Sequence, residues 1–384
     1  MAPRRPYRSP ATVRRARGVA KRQLNEDPDQ VPALSELEQR LRYRAALARS
    51  HGPTDYLGRC VASDRKTRSG RSDEVGVVSL FCGADLGCLP FNKAPFVYLS
   101  GFEIDGRFEE MHARNYGEGR LHVADALEMS HLQVLAVVRK AERARGVKVR
   151  ALHVVVTMCC KDASRAAGRP VDTAYYHRCV EWVKRVVKAL RAKYAPVTHS
   201  WEFTDTPAVR EAIFRAFPGL CCTVLLGTAN EDKQRLFALG EYGSVGALIR
   251  WLDKLEDRAV RHGETAAAVF ARLEPGAAAH RTNCGSSRKR IRGMDDTVCG
   301  FTSNGLSLYG ANGQLLGLCK PSTLMALRCI GSPFKYATCA ADDVRGGQMI
   351  MRLAAAQGAS PMVMTAMALA YLEHFRRDSR AYRT

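Results

Sequence analysis

The 384 residues carry 59 Lys and Arg against 38 Asp and Glu, a formal charge of +21, with 46% of positions hydrophobic. That composition supports a sizeable core and predicts salt-dependent accumulation on polyanions. No apolar run approaches the ~20 residues that span a bilayer, so a membrane protein is not expected. The 13 cysteines lie in apolar contexts rather than regularly spaced pairs. Because Cys159-Cys160 and Cys221-Cys222 lack zinc-ligand spacing, no metal and no disulfide framework are expected, and the chain reads as intracellular and reduced.

Residues 1–30 alternate Arg and Lys with Pro, Ser and Ala, a composition that buries no core. The segment is expected to be a disordered basic tail: a phosphate-binding arm, a nuclear localisation signal or a solubilising extension. It holds no apolar run of the length a signal peptide needs. Leu34, Leu37, Leu41 and Leu47 among Arg and Glu predict an amphipathic helix over 31–51, followed by a polar linker over 63–74. From 75 to 240 apolar strands alternate with helices, which predicts an α/β fold with a doubly wound, mostly parallel sheet.

Within that region VVSLFCGADLGCL, residues 77–89, runs from an apolar strand into a glycine-containing turn, and GFEID, residues 101–105, ends a second apolar run in acid. A βαβ unit builds a nucleoside crevice in this way, with the acid of the second strand on a ribose. The dinucleotide pattern GxGxxG is absent, and taken alone the Gly83/Gly87 turn reads equally as a tight strand-to-helix connection. Downstream, the apolar strand 151–157 precedes Cys160, and residues 172–194 form a helical stripe of Tyr176, Cys179, Val180, Val183, Val186, Val187 and Leu190. A cysteine at a buried strand end is ordinarily a small apolar filler. A second strand-like stretch, 197–201, leads to Glu202, and a helix is expected over 245–259.

Taken in order, these segments resemble the DNA cytosine-5 methyltransferase family from about residue 75 to the C-terminus. LFCGAD is similar to the family's first motif and resembles the FxGxG turn of S-adenosylmethionine-dependent methyltransferases. FEIDGRFEEMHARNY (102–116) resembles the second motif and HVADALEM (122–129) the third. VVVTMCCKDASRA (154–166) stands for the PCQxxS loop, SWEFTD for the ENV strand and NEDKQRLFALG (230–240) for the QRRxRxF strand. STLMALRCIGSP (322–333) and AAQGASPMVMTAMALAYL resemble the closing segments. The departures are Asp85 for Gly, Cys159 and Lys161 for Pro and Gln, and Phe203 for Asn; Asp85 in particular puts a carboxylate where it would crowd a bound methionine moiety.

The resemblance implies an S-adenosylmethionine-dependent enzyme. Phe81, Gly83, Glu103, Ile104 and Asp125 would hold the cofactor, Glu103 on the ribose hydroxyls and Asp125 on the adenine amino group. Cys160 would add to carbon 6 of cytosine, because the ring attacks a sulfonium methyl only after such covalent activation. Glu202 would act at ring nitrogen 3, and Lys233 and Arg235 would bind the phosphate of an extruded nucleotide. The implied organisation is a tail over 1–30, helix and linker over 31–74, a catalytic domain over 75–240, a target-recognition region over 241–320 and a returning segment over 321–384. The run 280–293 is the most basic part of the recognition region. The expected partner is double-stranded DNA, bound by a monomer in the nucleus or another DNA-containing compartment. RNA methylation, or a DNA-binding protein whose catalysis is impaired, are the alternatives.

Overall fold

The computed structural model describes residues 74–381, apart from 93–94, 148, 159–171, 205, 226–234, 241–242, 283–290, 295, 297, 299–303, 334–335 and 337–344. The basic tail, the helix expected over 31–51, Cys160, Lys233 and most of the basic run 280–293 therefore lie outside the described residues.

Among the described residues, seven strands form the main sheet: β1 (Glu74–Leu80), β2 (Phe96–Glu103), β3 (Leu121–Val123), β4 (Val149–Thr157), β5 (Val197–Phe203), β6 (Cys221–Leu225) and β7 (Arg235–Leu239). Their order is β3-β2-β1-β4-β5-β7-β6. Neighbours pair in parallel except around β7, which runs antiparallel to both β5 and β6. The expected fold class, an α/β doubly wound and mostly parallel sheet, is the one found. Strands such as FVYLSGFE and VRALHVVVT read as near-continuous apolar runs because both sheet faces are covered.

One face carries α2 (His131–Arg145), α3 (Thr173–Arg191) and α4 (Pro207–Ala216). Val78, Leu80, Val154 and Val156 point to that side and meet Val134, Val138, Val183 and Val186. Helix α2 starts on a capping box between Ser130 and Gln133 and stops at Gly146, whose φ of 62° is left-handed. The other face carries α1 (Glu109–Tyr116), α5 (Val245–Arg261) and α9 (Pro361–Ala381), packed on Val75, Val77, Tyr98 and Phe237. Successive side chains of each strand feed the two cores alternately.

Helix α5 was expected to open the recognition region, but it packs on the sheet. Leu248, Trp251, Leu252 and Leu255 are buried against Phe237, Leu239 and α9, each contributing ~1.5–3 kcal/mol of burial. The sheet unit thus extends past residue 240, because the apolar stripe of α5 has the sheet face as its partner. A second, antiparallel sheet follows, formed by β8 (Ala279–Thr282), β9 (Arg292–Gly293), β10 (Leu306–Tyr309) and β11 (Leu315–Leu318) in the order β11-β10-β8-β9. Its inner residues share a core with α6 (Ala266–Leu273), α7 (Pro321–Arg328), α8 (Arg345–Gln357) and the turn after β1. Among the described residues no single helix is long and apolar enough to cross a membrane.

Candidate active site

The sheet reverses its winding between β1 and β4, and ligands of open α/β sheets bind beyond the carboxyl ends of strands at such a point. At that edge the chain leaves β1 through Phe81, Gly83 and Asp85, all with positive φ, at 56°, 54° and 58°. Two of the three are not glycine, so the surroundings must impose the conformation. Thr157, ending β4, donates its hydroxyl to the Phe81 carbonyl at 2.9 Å. The Phe81 ring meets Trp182 edge-on at 5.6 Å, and Trp182 is fixed in turn by donating Nε1 to the Met129 carbonyl at 2.7 Å.

Glu103 ends β2 beside this turn. Its carboxylate accepts the Gly83 N–H at 2.7 Å and the Asp105 N–H at 3.1 Å. Burial pushes its pKa up, and these backbone donors pull it partly back. Ile104, the next residue, leaves 65% of its surface exposed, and Val123 at the end of β3 leaves 43%. Asp125 follows β3 and folds one oxygen back onto the Leu127 N–H at 2.9 Å. Two carboxylates therefore flank an uncovered apolar step at the strand ends.

Across the switch point, Glu202 near the end of β5 is 4% exposed. Arg235, starting β7, brings Nε to within 2.9 Å of its Oε1, close enough for an ion pair but not aligned as a hydrogen bond. The antiparallel β5–β7 register creates this contact by setting Glu202 opposite Phe237 and Phe203 opposite Leu236. Arg235 was expected to meet a phosphate; its side chain is instead turned to Glu202 and only 15% exposed. The β4–β5 register sets Thr157 beside Glu202, and Met158 donates its N–H to the Glu202 carbonyl at 3.1 Å. Residue 158 is the last described before Cys160, so the chain enters the segment 159–171 from next to Glu202.

Asp85 does not crowd the crevice. It is 2% exposed and held under the turn, where Ser79 donates to Oδ1 at 2.9 Å and the Tyr98 hydroxyl donates to Oδ2. The Tyr98 oxygen also lies 2.9 Å from His112 Nε2, and that nitrogen is 3.7 Å from Asp85 Oδ2. The Tyr116 hydroxyl donates to the Asp85 carbonyl, and Tyr336, from the returning segment, donates to the Ala84 carbonyl. Gly101 on β2 makes room for the group, since a Cβ there would collide with the Tyr98 hydroxyl and come within 3.0 Å of both Cys82 Sγ and His112 Nε2.

Sequence reading missed Trp182, Thr157 and this clamp. The period of α3 carries a signal for Trp182, which continues the buried stripe. The clamp has none, because Ser79, Tyr98, His112 and Tyr336 come from four separate segments.

No protein-family profile and no curated protein sequence matches the chain. Among solved structures, the Schizosaccharomyces pombe Dnmt2 methyltransferase aligns over 78% of this chain and 99% of its own, with TM-score 0.52 and 12% identity. The Entamoeba histolytica methyltransferase EhMeth aligns over 79% and 99%, with TM-score 0.45 and 10% identity. Identity this low speaks to architecture alone, and on the S. pombe alignment the chain shares the fold of that Dnmt2 methyltransferase.

Proposed function

We propose that the chain is a divergent DNA cytosine-5 methyltransferase using S-adenosylmethionine. The observation that carries this reading is the pairing, across one switch point, of Glu103 bonded to the glycine turn with the buried Glu202–Arg235 pair beside the chain leading to Cys160. The residues fit the cofactor. The exposed side chain of Ile104 suits the face of an adenine, Glu103 its ribose hydroxyls, and Asp125 its amino group, while Phe81 and Gly83 shape the turn. Bound there, S-adenosylmethionine supplies an electrophilic methyl group.

The chain's own residues do the rest. The Cys160 thiolate adds to carbon 6 of the extruded cytosine, and Glu202 hydrogen-bonds or protonates nitrogen 3 to hold the charge that the attack pushes into the ring. Arg235 keeps Glu202 oriented. After carbon 5 has taken the methyl group, a base removes the carbon-5 proton and the thiolate leaves. Lys233, outside the described residues, is assigned the phosphate of the extruded nucleotide.

A duplex carrying 5-fluorocytosine tests this directly, because fluorine blocks the final elimination and traps the adduct. Cys160→Ser should abolish the trapped species and Cys159→Ser should leave it. Glu202→Gln should slow methyl transfer by roughly 10²–10⁴-fold, the weight of a positioned proton donor. Trapping on an RNA substrate alone would move the reading to RNA, and failure to bind S-adenosylmethionine or its demethylated product at millimolar concentration would end it.

A further inference from the structure

Both crossovers on the first face, β3–α2–β4 and β4–α3–β5, return the chain antiparallel to the sheet. The C-terminal halves of α2 and α3 therefore lie at the amino edge of the strands, the pole opposite the crevice. The helices pack against each other there, and Tyr194, just past α3, donates its hydroxyl to Glu142 of α2 at 2.8 Å. Arg139, Lys140 and Arg143 of α2 and Lys184, Arg185 and Lys188 of α3 are all exposed. Two acids accompany them. Glu142 is turned inward onto Tyr194 and the Val149 N–H, and Glu181 reaches Lys184 at 3.8 Å. Arg139, Lys140, Arg143, Arg185 and Lys188 form no ion pair among the described residues.

Cations near a helix C-terminus answer the helix dipole, but that effect fades within the last turn. Lys184 and Arg185 stand well before the end of α3 at Arg191, so the dipole does not account for them. Spacings of three and four residues set Arg139 beside Arg143 and Lys184 or Arg185 beside Lys188, giving a positive row on each of two neighbouring helices. At 1.5 Å per residue, the 19 residues of α3 separate its two ends by about 28 Å.

We infer that this pole is a second nucleic-acid surface, one that binds the phosphate backbone of a duplex remote from the crevice. It would hold DNA by charge alone, without reading sequence, while a target is handled at the other pole. The inference concerns binding and does not need the crevice to be active.

The test uses the full chain with Arg143→Gln, Arg185→Gln and Lys188→Gln together, which keeps good helix formers at each position. Duplex DNA affinity is measured against salt, alongside duplex RNA and anionic phospholipid vesicles. The slope of log affinity against log salt should become shallower by about 2–3 units, near 0.9 for each cation withdrawn from a phosphate. Swapping the same sites to Lys, Lys and Arg should restore it. The 5-fluorocytosine trap at saturating duplex should form at the parent rate; a trap absent from parent and variant alike would sink the methyl-transfer reading while leaving the slope to decide this one. An unchanged DNA slope, or a loss confined to the vesicles or to RNA, would overturn the inference.

Discussion

Asp85 is where this chain departs from its resemblance most visibly, and the clamp around it makes a quantitative expectation. Asp85→Gly installs the glycine of the motif this turn resembles and suits a φ of 58°, but it removes an acceptor of two buried hydroxyls, those of Ser79 and Tyr98. Tyr98 keeps His112 Nε2 within 2.9 Å while Ser79 is left unsatisfied, and a stranded buried donor costs about 1–3 kcal/mol, so Asp85→Gly should lose roughly 1–3 kcal/mol. Asp85→Ala should lose about 1 kcal/mol more, because an alanine pays the left-handed backbone strain that glycine avoids and aspartate tolerates. Urea unfolding of both variants, crossed with Ser79→Ala, isolates the cause. In the parent, Ser79→Ala removes a made bond and destabilises; in the Asp85→Gly background it removes an orphan hydroxyl and should recover about 1 kcal/mol. The same background should change S-adenosylmethionine affinity by no more than a few fold, since the carboxylate lies beneath the turn. Parent-like stability of Asp85→Gly, or a Ser79→Ala cost of the same sign in both backgrounds, would refute the clamp.

Burial lowers the pKa of His153 to about 3 and of His199 to about 4, so both imidazoles are neutral in the folded chain. The unfolded state binds these protons first; stability is therefore full above about pH 6.5 and falls by roughly 1.4 kcal/mol per pH unit for each histidine as pH drops toward the folded values. Unfolding midpoints between pH 7 and pH 5 should flatten in His153→Gln, which retains hydrogen-bonding capacity toward Thr198 and Ser200. Gly101→Ala should lower the melting temperature measurably, by driving a Cβ into the Tyr98 hydroxyl, Cys82 and His112. Arg235→Met should cost roughly 3–5 kcal/mol in chemical unfolding by stranding the buried Glu202 carboxylate, and the loss should shrink in the Glu202→Gln background.

Sequence alone determined the elements whose signal is local. The alternation of apolar strands with helices announced the doubly wound sheet, and strand ends marked Gly83, Glu103 and Glu202 as the carboxyl edge where a ligand would sit. The stripe of α3 and the strand that becomes β5 were readable because each is set by neighbours within a few positions. Only the tertiary structure decided what non-local contact decides. Arg235 looked like a phosphate ligand until the β5–β7 register brought it to Glu202. Asp85 looked like an obstruction until Ser79 and Tyr98 were seen to hold it under the turn. Helix α5 looked like the start of another region until its stripe met the sheet. The cations of α2 and α3 belong to two separate stretches of sequence, and two parallel crossovers bring them to one pole. A residue's type and its neighbours in sequence fix its local conformation, but the partner its charge or hydroxyl meets is chosen by strand order and register, which no short stretch of sequence encodes.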